Sequence, residues 1–301
     1  MCPQDLFPIM KQLLRLRQNQ LPPRRRPRHL PLTDMNDLIN YINLDENLKQ
    51  KVIDLAEKDK VKILSLAKKC ISGNFSCLRF ADDITRLAVI LECAANAREK
   101  YQKLGISDSI FYDTMDDIRI WCENNNNKGL KNYRWLKNHV SLELFKIGRL
   151  QYQFYTCKSR FLKYSLLPFD YGEKVIYVHI PQGEKLVYSD CVSSIKEAKI
   201  FFEKYFPGYS YRFFFCESWL LFAENWQFME PSSNILQFSS LFDIVYSCSV
   251  DAQAIERIYK KRRINKSKYP EDTSLQKSAK AYMLSGGKLG MGIGVIEKEL
   301  V

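Results

Sequence analysis

Between Lys174 and Leu221 the chain reads as strand, loop, amphipathic helix and strand. Val-Ile-Tyr-Val-His-Ile (175–180) is followed by Pro-Gln-Gly-Glu-Lys (181–185), a helix over Ser193–Tyr205, and Tyr-Arg-Phe-Phe-Phe-Cys (211–216). Two apolar strands joined through a helix of that length form a βαβ crossover, which makes them parallel neighbours with helices packed on them. In open α/β sheets, ligands bind beyond the carboxyl ends of such strands. The first end carries His179, Gln182 and Gly183, and the second carries Cys216, Glu217, Ser218 and Trp219. A functional site is expected there.

The remaining sequence excludes several classes. A chain of 301 residues with 46% apolar and 13% aromatic residues can bury a core in each of two domains. No apolar run approaches the ~20 residues of a membrane span. Asp5, Lys11, Arg15 and Arg17 interrupt every apolar stretch near the N-terminus, unlike a secretion signal. Nine cysteines without a Cys-x-x-Cys pair, and three separated histidines, support neither a disulfide framework nor a metal site. The expectation is a cytoplasmic protein with reduced thiols and no metal.

The net charge of +12 is concentrated at the N-terminus, where residues 1–34 hold seven basic and two acidic side chains. Leu21–Pro31 contains four prolines among its arginines, and residues 1–34 read as a disordered basic tail or as a start that is not native. A second basic run, Lys260–Lys268, reads as a solvated helix end or loop, with an anionic-ligand contact as the alternative. No zinc-finger, RNP or helix-turn-helix pattern accompanies it, so neither nucleic acid nor membrane is the expected partner.

From Met35 to Gly148 the apolar spacing is helical. The spacing predicts one helix opened by Asp45-Glu46 and stopped at Gly73-Asn74, others over Ala81–Lys103 and 108–121, and a last one over Tyr133–Phe145. Asp117 and Trp121 share a helical face and read as a domain-interface contact. After Gly148 the period becomes two: Leu150–Tyr155 and Phe161–Leu166 read as a hairpin, followed by the crossover unit. Ile235–Phe238 and Asp243–Cys248 read as strands, with helices over Ala252–Arg262 and Thr273–Leu284. Gly286 and Gly287 read as a helix C-cap, and Gly290, Gly292 and Gly294 as a close-packed strand. The fold class is α+β: a basic tail (1–34), a helical domain (35–148) and a mixed-sheet domain (149–301).

Several segments resemble a known family. His179-Ile-Pro, Phe201-Phe202, Phe206-Pro-Gly208, Cys216-Glu-Ser-Trp-Leu-Leu221, Ser233-Asn-Ile235 and Gly287–Gly294 are similar to the pattern of bacterial GNAT-like acyltransferase domain-containing proteins. Thr114-x-x-Asp117-Ile118-x-x-Trp121 and Glu143-Leu-Phe-x-x-Gly-Arg149-Leu-Gln151 resemble the helical domain that precedes it. The resemblance spans residues 35–301. It implies an N-acyltransferase that moves an acyl group from acyl-CoA or acetyl-CoA to a small-molecule or peptide amine. It also implies that pantetheine lies along 174–180 and the pyrophosphate on the loop that follows, which assigns Ile180, Gln182 and Gly183 to the cofactor. That loop departs from the family's Arg/Gln-x-x-Gly-x-Gly/Ala pattern, because it has one glycine, carries Glu184 and lacks the N–H of Pro181. A non-catalytic GNAT-fold protein that binds a small molecule or a protein partner is the alternative.

N-acylation needs a base, donors for a thioester oxyanion and an acid for the leaving thiolate. His179 reads as the base or as a structurally satisfied histidine. Cys216 reads as an acyl-carrying nucleophile or as strand packing, and Ser218 as an oxyanion donor or a turn cap. Trp219 and Asn234 are candidates for substrate contact, against core and turn roles respectively.

Overall fold

The computed structural model describes residues 35–158 and 167–301. The tail read at 1–34 and the strand read at Phe161–Leu166 lie outside the described residues. The described residues form one compact unit.

The helices come first: α1 (Met35–Tyr41), α2 (Glu46–Lys58), α3 (Lys60–Ile71), α4 (Asp83–Lys103), α5 (Asp108–Met115), α6 (Asp117–Glu123) and α7 (Tyr133–Val140). Asp45 and Asp82 cap α2 and α4 by accepting from backbone N–H groups two or three residues on. The single helix read from Asp45 to Gly73 is interrupted at Asp59, and the helix read over 108–121 at Asp116. Leu87 through Leu91 are all buried, which makes α4 the axis on which the other helices pack.

The helix read over Tyr133–Phe145 stops at Val140. Leu142 takes a positive φ of 58°, and Leu144–Ile147 begins the sheet as β1. A two-residue turn with Gly148 at φ +60° leads into β2 (Leu150–Thr156). The hairpin partner of β2 therefore lies upstream. Next come β3 (Lys174–His179), α8 (Tyr188–Tyr205) and β4 (Phe213–Ser218), then a 3₁₀ turn over Trp219–Leu221. Ile235–Phe238, read as a strand, lies in α9 (Asn234–Ser239), where Ser233 caps the Ile235 N–H. The chain continues through β5 (Asp243–Cys248), α10 (Ala252–Tyr259), α11 (Ser274–Leu284) and β6 (Met291–Glu297).

Among the described residues the strands form one sheet in the order β1-β2-β3-β4-β6-β5. The β3–β4 pair is parallel and the other neighbouring pairs are antiparallel, so the fold is α+β with a mixed sheet. Parallel pairing covers only Ile176↔Phe214 and Tyr177↔Phe215, after which the two carboxyl ends separate. Close packing of β6 holds the turn after β4. A Cβ on Gly292 would lie 2.0 Å from the Leu221 carbonyl oxygen, and one on Gly290 2.3 Å from that of Cys248.

Candidate active site

Strand alternation sorts the side chains at the splayed ends. On one face, Ile176, Val178, Phe214 and Cys216 turn towards α8, where Phe214 meets Tyr152 and Tyr152 meets Phe202. On the other face Tyr177, His179, Phe215 and Glu217 project together with Gln151 and Gln153 of β2. A cavity of about 580 Å³ opens at the splay. Its walls are His179 to Glu184 from β3 and its loop, Glu217 to Leu220 from β4, Asp117, Trp121 and Trp135 from α6 and α7, and Gln253 and Arg257 from α10.

The loop after β3 is organised by side chains. The Arg149 guanidinium, only 6% exposed, donates to the carbonyl oxygens of Glu184 (2.7 Å), Lys185 (2.9 Å) and Pro181 (3.2 Å). Lys146 of β1 draws the Glu184 carboxylate to itself at 3.7 Å, and Asn124 donates to Gln182 Oε1 at 2.9 Å. With those carbonyls engaged, no acceptor among the described residues meets the N–H groups of Gln182, Gly183, Glu184 or Lys185. Gly183 sits at φ +106°. These amides lie in an exposed loop ahead of a long helix, where N–H groups are free to meet an anion, and an arginine clamp stands in place of a second glycine.

Two carboxylates face this cavity in opposite electrostatic states. Burial lifts the Glu217 carboxyl above its ordinary range. Burial also works against ionisation of Asp117, but His139, Trp135 and Trp121 together hold it below that range. Burial, with a contribution from His139, pushes His179 down to about 3. The His179 ring is neutral, stacks on Tyr177 at 4.1 Å and shares a 2.9 Å hydrogen bond with Gln153 Oε1. Gln151 is 2% exposed, and its Nε2 meets no acceptor among the described residues.

Residues 144–296 match the family described as GNAT-like C-terminal domain, and residues 30–142 the one described as N-acyltransferase N-terminal domain. The chain belongs to the GNAT-like family. A crystal structure of an acyltransferase in complex with decanoyl-CoA and teicoplanin is similar at TM-score 0.70 and 17% identity, over 92% of this chain and 91% of that one. A structure of an acyltransferase in complex with CoA and 10C-teicoplanin reaches 0.70 and 18% over 94% and 93%. One with decanoyl-CoA alone reaches 0.69 and 18% over 87% of each chain. At these identities the likeness concerns the fold. No curated protein matches.

Within the GNAT-like domain, the cavity brings together His179, Ile180, Gln182, Gly183, Ser218 and Trp219. Cys216 and Asn234 are not among its lining residues. Cys216 is fully buried in β4, burial raises its thiol pKa well above the ordinary value, and alternation points it at α8. Asn234 is the first residue of α9, although its neighbour Ile235 reaches the wall. Ser218 caps the following turn by accepting from the Leu220 N–H at 3.2 Å. Sequence reasoning placed Glu217 at the expected site without giving it a role, and missed Asp117, Trp121, Trp135, Arg149 and Gln151 as site residues. The Asp117/Trp121 spacing and the Arg149-Leu-Gln151 segment were visible, but nothing in the helical pattern showed that they converge on the strand ends.

Among the described residues no group of three or more His, Cys, Asp or Glu side chains is placed to hold a metal ion. Nor is any helix long and apolar enough to cross a membrane.

Proposed function

We propose that this chain transfers an acyl group from an acyl-CoA to an amine of a small molecule or peptide. The observation that carries this reading is the splay of β3 from β4 beside a loop whose carbonyls are clamped and whose N–H groups are unmatched. A phosphate on those amides places a pantetheine arm along Val178–Ile180, with the thioester at the splay. Acyltransferases of the same fold hold decanoyl-CoA, CoA and teicoplanin in their crystal structures, which supports acyl-CoA as donor and a peptide-like acceptor.

The amine nitrogen attacks the thioester carbonyl carbon, a C–N bond forms and the C–S bond breaks. The amine's proton goes to a base, and the departing thiolate takes a proton in return. We assign Glu217 as that base. Burial raises its carboxyl above the ordinary range and makes it a stronger base than a solvated carboxylate, whereas an imidazole held near 3 takes up a proton reluctantly. His179 then serves as a neutral hydrogen-bonding wall. Ser218 remains a cap, and Trp219 lines the apolar side.

The test is a melting curve with and without decanoyl-CoA. A ligand that binds only the folded state at 100 times its dissociation constant adds about 2.7 kcal/mol. The full chain should show that rise and release CoA when a primary amine is added. Arg149→Gln, which loses the carbonyl clamp, should weaken decanoyl-CoA binding by about tenfold or more. A rise without CoA release for any amine would favour a binding protein, and no rise would remove the acyl-CoA reading.

A further inference from the structure

Asp117, the first residue of α6, lies in the helical wall of the cavity at 4% exposure. Three groups converge on one of its oxygens. The indole N–H of Trp135 donates to Oδ2 at 2.7 Å, that of Trp121 at 3.2 Å, and His139 Nε2 lies 3.0 Å away. Among the described residues nothing donates to Oδ1. Oδ1 is not among the side-chain atoms sealed from solvent without a partner, so it is open to a group that enters the cavity.

The surroundings define what can do so. Trp121 and Trp135 line the same cavity beside Tyr177, whose ring is stacked on His179. Of the guanidinium groups on the cavity wall, Arg149 is committed to the loop carbonyls and Arg257 comes from α10. His179, which packs edge-to-face on Trp135 at 5.0 Å, brings no positive charge. An anionic group here would face Asp117 and Glu217. An ammonium would meet a carboxylate oxygen and π-faces together, the combination that binds alkylammonium ions.

Resting on the acyl-transfer reading above, we propose that the free oxygen of Asp117, flanked by Trp121 and Trp135, seats the acceptor as its ammonium ion. The acceptor class is therefore a cationic aliphatic amine, and alcohols and weakly basic aryl amines are poor substrates. The helical region selects the acceptor, while the sheet holds the donor. Asp117 is a binding residue. The seated ammonium gives up one proton to become the attacking amine, and Glu217 is the nearby group assigned to accept it.

The test uses the tryptophans themselves. Benzylamine, protonated at pH 7, and benzyl alcohol are titrated against the full chain by intrinsic fluorescence. Benzylamine should bind about tenfold tighter or more, the discrimination of one charge-assisted contact. Asp117→Asn keeps an oxygen for the two indoles and removes the charge. It should abolish that preference and raise the KM for amine by a similar factor, with the decanoyl-CoA melting shift unchanged. Equal binding of the two probes by the unmodified chain would overturn the seat, whether or not the variant folds. A preference that survives in Asp117→Asn would overturn it as well. If the decanoyl-CoA shift is present, such a failure is confined to the acceptor seat; if that shift is absent, the acyl-transfer reading itself has failed.

Discussion

Strands β3 and β4 show two faces of opposite character. Towards α8 they present Ile176, Val178, Phe214 and Cys216, all buried, and the Tyr152 hydroxyl there is bonded to Ser194 at 2.8 Å, whereas that of Tyr211, packed beside Phe202 and Phe214, meets no partner among the described residues. Towards the helical region the same strands present Tyr177, His179 and Glu217, and the polar groups on that side are left incomplete. Gln151 Nε2 has no acceptor among the described residues, Asp117 Oδ1 receives no donor and is open to the cavity, and burial raises the Glu217 carboxyl above its ordinary range. One face is almost wholly apolar and serves stability. The other lacks partners that a ligand would supply.

The largest expected difference between the faces is catalytic. Glu217→Gln should lower turnover with decanoyl-CoA and an amine by roughly 100-fold or more, the usual contribution of a general base, with little change in melting temperature. Cys216→Ala, one residue away on the opposite face, should leave turnover within about threefold while costing about 1 kcal/mol of stability. Steady-state rates and denaturant midpoints of the two variants check both halves. Loss of turnover in Cys216→Ala with Glu217→Gln still active would return the acyl-carrying role to the thiol.

The next difference concerns acid. His179 titrates at about 3 in the folded chain and near its ordinary value of ~6.5 in the unfolded one. Below pH 6.5 the unfolded chain therefore takes up a proton that the folded chain refuses. Stability is fully present above that pH and falls progressively until the folded value is reached. Between pH 7 and 5 this group should remove about 1–2 kcal/mol. His179→Gln should flatten the decline by that amount in urea titrations at the two pH values. Asp117, held low, loses its partnership only at more acidic pH, and Glu217 contributes with the opposite sign equally in both proteins, so the difference isolates the imidazole. Equal slopes would mean that the ring is solvated and free to act as a base.

Much of this arrangement was legible because it rests on local rules. The crossover at 174–217 follows from strand period and helix length, and the glycine-rich strand β6 from the need for close approach to Leu221. The reading failed where tertiary contacts outweighed local pattern. Leu144–Ile147 continues a helical run in sequence, yet a positive φ at Leu142 and the Thr114 hydroxyl, which accepts from the Lys146 N–H at 2.9 Å, turn it into an edge strand. Ile235–Phe238 is apolar and short, the case in which periodicity does not separate strand from helix, and the Ser233 cap decides it. The site was half visible. Strand-end residues can be placed from order along the chain, but Asp117 meets Trp135 and His139 of the next helix, and Arg149 meets carbonyls more than 30 residues distant, which no spacing rule reveals.

The smallest difference between the faces is also a direct measure of the incompleteness. Gln151 and Tyr152 are neighbours on β2, each about fully buried, and point to opposite sides of the sheet. The Tyr152 hydroxyl bonds Ser194, which also donates to the Ile147 carbonyl and accepts from the Leu150 N–H, so Tyr152→Phe removes one bond from that group and should cost about 1 kcal/mol. Gln151 carries an Nε2 that the chain does not satisfy, so Gln151→Leu removes a desolvated donor and no hydrogen bond made by that donor. Its stability should stay within about 0.5 kcal/mol of the unmodified chain, or rise slightly. Urea midpoints at unchanged slope give both values. If Gln151→Leu costs as much as Tyr152→Phe, the amide is already satisfied in the free protein, and the polar face is as complete as the one against α8.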